Sequence, residues 1–264
     1  MRISVVIPAF NEEGNIGLLI EEIFAKVPED VLGEVIVIDD GSDDGTRAEI
    51  KALLSRYPSL HYIRHDQRAE KSAALRTGVF AAHFPIIATM DGDGQNDPAD
   101  IVRLLRRLGS DGTEPFLAAG IRAGRKGPSS RKAASRFANF IRDKLLADGC
   151  PDTGCGIKLC RRSAFLELPF FTNMHRYLPA LFLTYGHEVV YEAVSDRPRL
   201  KGTSKYTNLG RALVGIYDLV GVTWLRRRTA IPQIAEDISR PTAAATDKKE
   251  AGGLSRRSSA ESHE

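Results

Sequence analysis

Asp91, Asp93 and Gln95 stand close together directly after the apolar run Ile86-Ile87-Ala88-Thr89-Met90. Carboxylate and amide oxygens are hard donors that suit Mg²⁺ or Mn²⁺, ions that keep positions open for phosphate oxygens. Gly92 and Gly94 allow the tight turn that lets the three side chains converge. Such a loop is where a divalent cation and a diphosphate would meet, although Asp-x-Asp pairs also occur in solvated turns. Two further polar clusters follow apolar runs: Asn11-Glu12-Glu13, and Asp39-Asp40-Gly41-Ser42-Asp43-Asp44-Gly45-Thr46.

The elements that must position these loops are readable from periodicity. Ile3 to Ile7, Val35 to Ile38, Leu60 to Arg64, Ile86 to Met90 and Phe116 to Gly120 are short apolar, β-branched-rich runs that predict strands. Between them lie helical patterns. Ile16, Leu19, Ile20, Ile23 and Phe24 form one stripe, a second helix runs through Leu53 and Leu54, and a third spans about Lys71 to Ala82. A fourth is opened by Asp97 as N-cap and Pro98 in the first turn, with Ile101, Leu104, Leu105 and Leu108 on its inner face. Strands alternating with helices predict an α/β fold with a mostly parallel central sheet flanked by helices. Each acidic loop then lies at the carboxyl end of a strand, the edge where open α/β sheets bind ligands.

In the second half, 124–131 is rich in glycine, proline, serine and cationic residues and predicts a loop, and Ser135 to Leu146 predicts a helix. Residues 206–228 form an amphipathic segment, too polar and short to span a bilayer, ending in Trp224-Leu225-Arg226-Arg227-Arg228. An aromatic residue before a cationic cluster is how an interfacial helix grips anionic head groups, and an edge helix packed on the domain gives the same pattern. Residues 229–264 hold too few apolar side chains to offset the entropy of ordering, which predicts a disordered tail after a catalytic domain at 1–205.

Composition narrows the classes. With 264 residues, 42% hydrophobic, one core of ordinary size is expected. A net charge of +3, with basic residues interspersed among acidic ones, gives no reason to expect nucleic acid as a partner. Cys150, Cys155 and Cys160 match neither a paired disulfide set nor a zinc framework, and are expected to be reduced and buried. The N-terminus begins at once with a strand pattern rather than a charged leader and apolar segment, so a cytoplasmic location is expected.

Taken in order, Val5-Val6-Ile7-Pro8-Ala9-Phe10-Asn11-Glu12, Ile38-Asp39-Asp40-Gly41-Ser42-x-Asp44-Gly45-Thr46 and Met90-Asp91-Gly92-Asp93-x-Gln95-x-x-Pro98 resemble the inverting glycosyltransferases of the GT-A fold. Within them the chain is similar to the polyprenyl-phosphate and dolichyl-phosphate mannosyltransferase group. Gly120-Ile121-Arg122, Asp152-Thr153-Gly154-Cys155-Gly156-Ile157-Lys158, Met174-His175-Arg176-Tyr177-Leu178-Pro179 and Arg197-Pro198-Arg199-x-x-Gly202-x-Ser204-Lys205-Tyr206 extend the likeness to bacterial members that load a sugar onto a lipid phosphate. The Gln/Arg-x-x-Arg-Trp helix typical of polysaccharide-building relatives is not found in the sequence.

The resemblance implies roles. Pro8, Phe10 and Glu12 form the nucleoside wall, with Asp39 on the base or ribose; Asp91 lies against the ribose or diphosphate, and Asp93 and Gln95, with Asp91 beside them, hold the Mg²⁺ or Mn²⁺. Arg122, Arg131, Arg199 and Lys205 cover the acceptor phosphate. Asp91, Arg122, Asp152, Arg199 and Lys205 then form the reacting centre, with Asp152 orienting a sugar hydroxyl or holding an arginine, and His175 in a structural or acceptor-loop role. The implied donor is a GDP- or UDP-linked sugar, and the implied acceptor is a polyprenyl phosphate at the inner face of the cell membrane. A glycan, glycerolipid or small-molecule acceptor, or a degenerate binding module, is the alternative. Two departures stand out: Arg68-Ala69-Glu70-Lys71 replaces a segment in which relatives commonly carry a glycine, and the paired transmembrane helices of many bacterial relatives have no counterpart here.

Overall fold

The computed structural model describes residues 1–109, 116–122, 142–198 and 208–232, without the side chains of 208–213. Arg131, Arg199 and Lys205, the loop at 124–131 and most of the expected tail lie outside the described residues. Met1–Thr229 is one compact unit, and of the second unit, Ala230–Glu264, only 230–232 are described.

Seven strands form one sheet: β1 (Ile3–Ala9), β2 (Leu32–Asp39), β3 (Leu60–Arg64), β4 (Ile86–Thr89), β5 (Leu117–Arg122), β6 (Lys158–Arg161) and β7 (Val189–Val194), in the order β3-β2-β1-β4-β6-β5-β7. The first four are mutually parallel. β6 runs antiparallel between β4 and β5, placing Lys158 opposite Thr89, and β7 is parallel to β5. β6 and β7 had no counterpart among the expected strands. Lys-Leu-Cys-Arg is short, charged at both ends and without a β-branched residue, so β6 exists because it fills the gap between two better strands rather than through propensity.

Helices α1 (Ile16–Lys26), α2 (Thr46–Leu54) and α4 (Asp100–Leu108) cover one face of the sheet, where Ile16, Ile20, Ile50, Ile101 and Leu104 meet Val5, Ile7, Val35 and Val37. On the other face lie α3 (Glu70–Ala81), α5 (Arg162–Glu167), a 3-10 turn at Met174–Arg176, α6 (Leu178–Thr184) and α7 (Asn208–Arg228), with Leu75, Val79, Phe165, Leu181, Phe182 and Val222 against Val6, Ile36, Ile38 and Ile87. Because β1 and β2 are buried on both sides, they read as continuous apolar runs. α4 starts at Asp100 and not at Pro98: the Asp97 carboxylate accepts the Ala99 N–H at 3.0 Å, while 98–99 form a turn.

α7 packs one side on this core. Val222 is buried, the Tyr177 hydroxyl donates to the Gly215 carbonyl at 3.2 Å, Asn173 Nδ2 donates to Asp218 Oδ2 at 3.1 Å, and Arg226 donates to Thr184 Oγ1 at 3.0 Å and to the Leu145 and Leu146 carbonyls. Its other side exposes Val214, Ile216, Tyr217, Val220 and Trp224. No described helix is long and apolar enough to cross a membrane. The three cysteines are free and buried.

Candidate active site

The loops after β1, β2 and β4 meet at one edge of the sheet. Asn11, at a φ of 54°, folds back so that its N–H donates to Ser42 Oγ at 3.0 Å and its side chain exchanges hydrogen bonds with Asp43. The Glu12 N–H donates to Thr46 Oγ1 at 2.8 Å, and Glu13 accepts the Gly45 N–H at 3.1 Å. Asp39 is fully buried, with Oδ1 accepting the Ser42 N–H at 2.8 Å and Oδ2 accepting the Tyr62 hydroxyl at 2.7 Å and Arg64 at 2.6 Å. Burial raises its pKa, but these donors outweigh burial and leave the carboxyl below its ordinary value. Both Asp39 oxygens are thus engaged within the protein. Pro8, Phe10 and Glu12 lie half-buried at the rim, and the Arg68 guanidinium stacks 4.4 Å from the centre of the Phe10 ring.

Asp91 lies where four elements converge. Lys71, at the start of α3, forms an ion pair with it. Gly156, just before β6, packs so closely that a Cβ there would stand 2.3 Å from the Asp91 carboxyl carbon. Burial pushes the Asp91 pKa up, and Lys71, Lys158 and Arg122 together bring it below the ordinary carboxylate range. Arg122, at the end of β5, makes a two-pronged pair with Asp152, Nε to Oδ2 at 2.7 Å and Nη2 to Oδ1 at 2.8 Å. Of the two roles expected for Asp152, holding an arginine is the one the geometry displays; that pair raises the Arg122 pKa, against the effect of burial.

The Gln95 N–H donates to Asp93 Oδ1 at 3.1 Å, which keeps both residues on one turn. That turn is clipped to the segment after β7: the Arg197 N–H donates to the Gln95 carbonyl at 3.0 Å, and the Arg197 guanidinium pairs with Glu22 at 2.9 Å and Asp97 at 2.5 Å. Among the described residues no three His, Cys, Asp or Glu side chains are grouped to hold a metal ion by themselves. Two carboxylates and an amide on adjacent turns fit an ion that completes its shell with substrate phosphates and water, the usual manner of Mg²⁺.

Beneath Asp91 a small cleft is lined by Lys71, Leu75, Thr89, Gly156, Lys158, His175 and Leu178. Lys158 is buried and its ammonium donates to the Cys155 carbonyl; burial lowers its pKa. Ser72 Oγ accepts the His175 N–H at 3.3 Å and lies 2.8 Å from His175 Nδ1. Burial, then Lys71 and Lys158, hold the His175 pKa well below its ordinary value, so the ring is neutral at pH 7. Lys71, Lys158, Ser72 and Arg68 carried no expected role. A lysine at the mouth of a helix directly after a strand-end loop was the available signal for Lys71; a lysine inside a strand was the signal for Lys158.

The arrangement of strands, helices and acidic edge defines a GT-A glycosyltransferase. The family model for glycosyl transferase family 2 matches residues 4–168. The chain belongs to that family. It is 33% identical over 237 residues, 88% of this chain and 69% of the relative, to the dodecaprenyl-phosphate galacturonate synthase of Rhizobium johnstonii. It is 29% identical over 224 residues, 83% of this chain and 66% of the relative, to the undecaprenyl-phosphate 4-deoxy-4-formamido-L-arabinose transferase of Pectobacterium carotovorum. The chain therefore spans about two thirds of the length of these curated relatives. Among solved structures, glucosyl-3-phosphoglycerate synthase from Mycobacterium tuberculosis, in complex with Mn²⁺, UDP-glucose and phosphoglyceric acid, superposes with a TM-score of 0.66 at 21% identity, covering 88% of this chain and 81% of the other. The same enzyme with Mg²⁺ and UDP superposes with a TM-score of 0.63. This likeness establishes the fold.

Proposed function

We propose that the protein transfers a sugar from a nucleotide-sugar donor to a polyprenyl phosphate, with inversion at the anomeric carbon, at the cytoplasmic surface of the membrane. The observation that carries this reading is that Asp91 and Asp152, two acidic side chains beside Lys71, Lys158 and Arg122, both stand in ion pairs. Such a site is poorly made for removing a proton and well made for gathering phosphates. A phosphate monoester has a second pKa of about 6 and is mostly dianionic at neutral pH, so it attacks without a base. The curated relatives described above are named for transfer to dodecaprenyl and undecaprenyl phosphate, which is the acceptor class this chemistry suits.

In this reading Pro8, Phe10 and Glu12 hold the nucleoside, and the Asp39 network holds the shape of the loop around it. Asp93 and Gln95, with Asp91 behind them, hold Mg²⁺ or Mn²⁺, which when bound neutralises charge on the departing nucleoside diphosphate. Arg122, kept rigid by Asp152, faces the incoming phosphate together with Arg131, Arg199 and Lys205. Arg199 follows closely on Arg197 in the sequence, and the Arg197 backbone is bonded to Gln95 of the metal loop. The exposed stripe Val214, Tyr217, Val220 and Trp224, with Arg227 and Arg228, lies on the lipid surface.

The test is incubation of the purified protein with labelled nucleotide sugars, Mn²⁺ and a polyprenyl phosphate in anionic vesicles. Label enters an organic-extractable, mild-acid-labile product with the β configuration if the donor is an α-linked sugar, and Asp93→Ala abolishes it. Label appearing only in a water-soluble glycan or small molecule would assign the alternative acceptor.

A further inference from the structure

We propose that the cleft beneath Asp91 recognises a carboxylate on the transferred sugar, so that the donor is a nucleotide-linked uronic acid; this rests on the transfer reaction proposed above. The polar groups that line the cleft are donors. Lys158 is only 4% exposed, its ammonium has the Cys155 carbonyl as acceptor, and no carboxylate lies in ion-pair contact with it among the described residues. A buried ammonium whose three hydrogens meet one carbonyl is a site prepared for an anionic oxygen. Lys71 has Asp91 as its ion-pair partner, whereas Lys158 has no carboxylate in that role among the described residues.

His175 adds a third donor. Ser72 is buried and already accepts the His175 backbone N–H, and its single hydrogen has His175 Nδ1 as acceptor at 2.8 Å. In the tautomer that takes this hydrogen the ring proton is on Nε2, which has no protein acceptor among the described residues and completes the donor set we propose. Thr89, the remaining polar side chain, donates to the Gly156 carbonyl at 2.8 Å and keeps that wall in place.

Size and placement favour a carboxylate over a phosphate. The cleft has room for about one water molecule at most, which one oxygen of a flat carboxylate replaces and a tetrahedral phosphate does not. The diphosphate and the acceptor phosphate have their own cationic partners at the outer edge, in the metal loop and at Arg122. A relative at 33% identity is named for galacturonate, a sugar that carries this group.

The experiment compares UDP-galacturonate and UDP-glucuronate with UDP-galactose and UDP-glucose, with Mn²⁺ and polyprenyl phosphate. The wild type prefers at least one uronate over its neutral counterpart by about 10⁴-fold in kcat/KM, the scale on which sites built for a polar group reject an analogue lacking it. Lys158→Met brings that ratio close to one, and Lys158→Arg, which keeps the charge, retains most of it; His175→Phe lowers the ratio through a residue outside the sheet, should Lys158→Met fail to fold. Equal loss on acidic and neutral donors in Lys158→Met, neutral donors turned over as well as uronates by the wild type, or turnover of a neutral donor with none of any uronate would overturn the proposal. Thermal-shift protection of the wild type by UDP-galacturonate against UDP-galactose, with no lipid present, separates the two readings. Preference there without any lipid product would sink the acceptor assignment and leave the carboxylate cleft standing.

Discussion

Gly156→Ala tests the geometry at the centre of the site. The added Cβ would lie 2.3 Å from the Asp91 carboxyl carbon and 2.5 and 2.6 Å from its two oxygens, where ordinary van der Waals contact begins at 3.4 Å. Asp91 must therefore shift by about 1 Å, which disturbs the geometry of its ion pair with Lys71. Displacements of about 1 Å at a reacting centre cost about 10²-fold in rate, equivalent to about 2.7 kcal/mol in the barrier. Stability should change far less, by about 1 kcal/mol, since the clash falls on the end of one side chain and not on the sheet backbone. The assay is kcat/KM for transfer into the lipid phase, beside a thermal melt of the same preparation. A variant that melts with the wild type and retains activity within threefold would refute the view that Asp91 must sit against Gly156 and Lys71.

Asp152→Asn removes the charged partner of Arg122 and is expected to lower kcat/KM by about 100-fold, with Asp152→Glu no substitute because the two-pronged geometry is lost; steady-state kinetics with saturating donor check this. Glu70 has a φ of 71°, so Glu70→Gly should stabilise the protein by about 1 kcal/mol and raise Tm by about 2–4 °C in a calorimetric scan; a lower Tm would deny the strain. The Asp39 pKa is lower folded than unfolded, so its contribution to stability is present above the unfolded value of about 3.9 and is lost as pH falls through the folded value. Asp39→Asn is then less stable by about 2 kcal/mol at pH 7, with a deficit that narrows toward pH 3 in denaturant titrations. Tyr217→Ser with Trp224→Ser should cut binding to anionic vesicles by about tenfold without shifting Tm, and unchanged sedimentation with vesicles would remove α7 from the membrane surface.

The parallel half of the sheet was legible because β1, β2 and β4 are covered on both sides and therefore carry the apolar runs Val5 to Ile7, Val35 to Ile38 and Ile86 to Ala88. The acidic loops followed at once, since each begins where such a run stops. The pair of Arg122 and Asp152 was half legible: both residues stood out, but 30 residues separate them and no local pattern records that they meet. β6 was silent because tertiary demand, not propensity, makes it a strand, and with it went the meaning of Lys158. The segment at Arg68 to Lys71 was noticed for lacking a glycine, and the reason is physical: Glu70 adopts the left-handed conformation that a glycine takes at little cost. That turn aims Lys71 at Asp91, a consequence visible only once the backbone is traced. The start of α4 was misjudged because Asp97, a good cap by type, divides its carboxylate between the Ala99 N–H, Lys26 and Arg197.

Arg226 changes the arithmetic of the basic cluster that closes α7. Its guanidinium is spent on Thr184 and on the carbonyls of Leu145 and Leu146, inside the fold. A lipid bilayer would meet two positive charges, Arg227 and Arg228, in place of three, worth about 1 kcal/mol each near an anionic surface. Attachment through this helix would then depend chiefly on its rings and aliphatic groups, and added salt would loosen it only modestly.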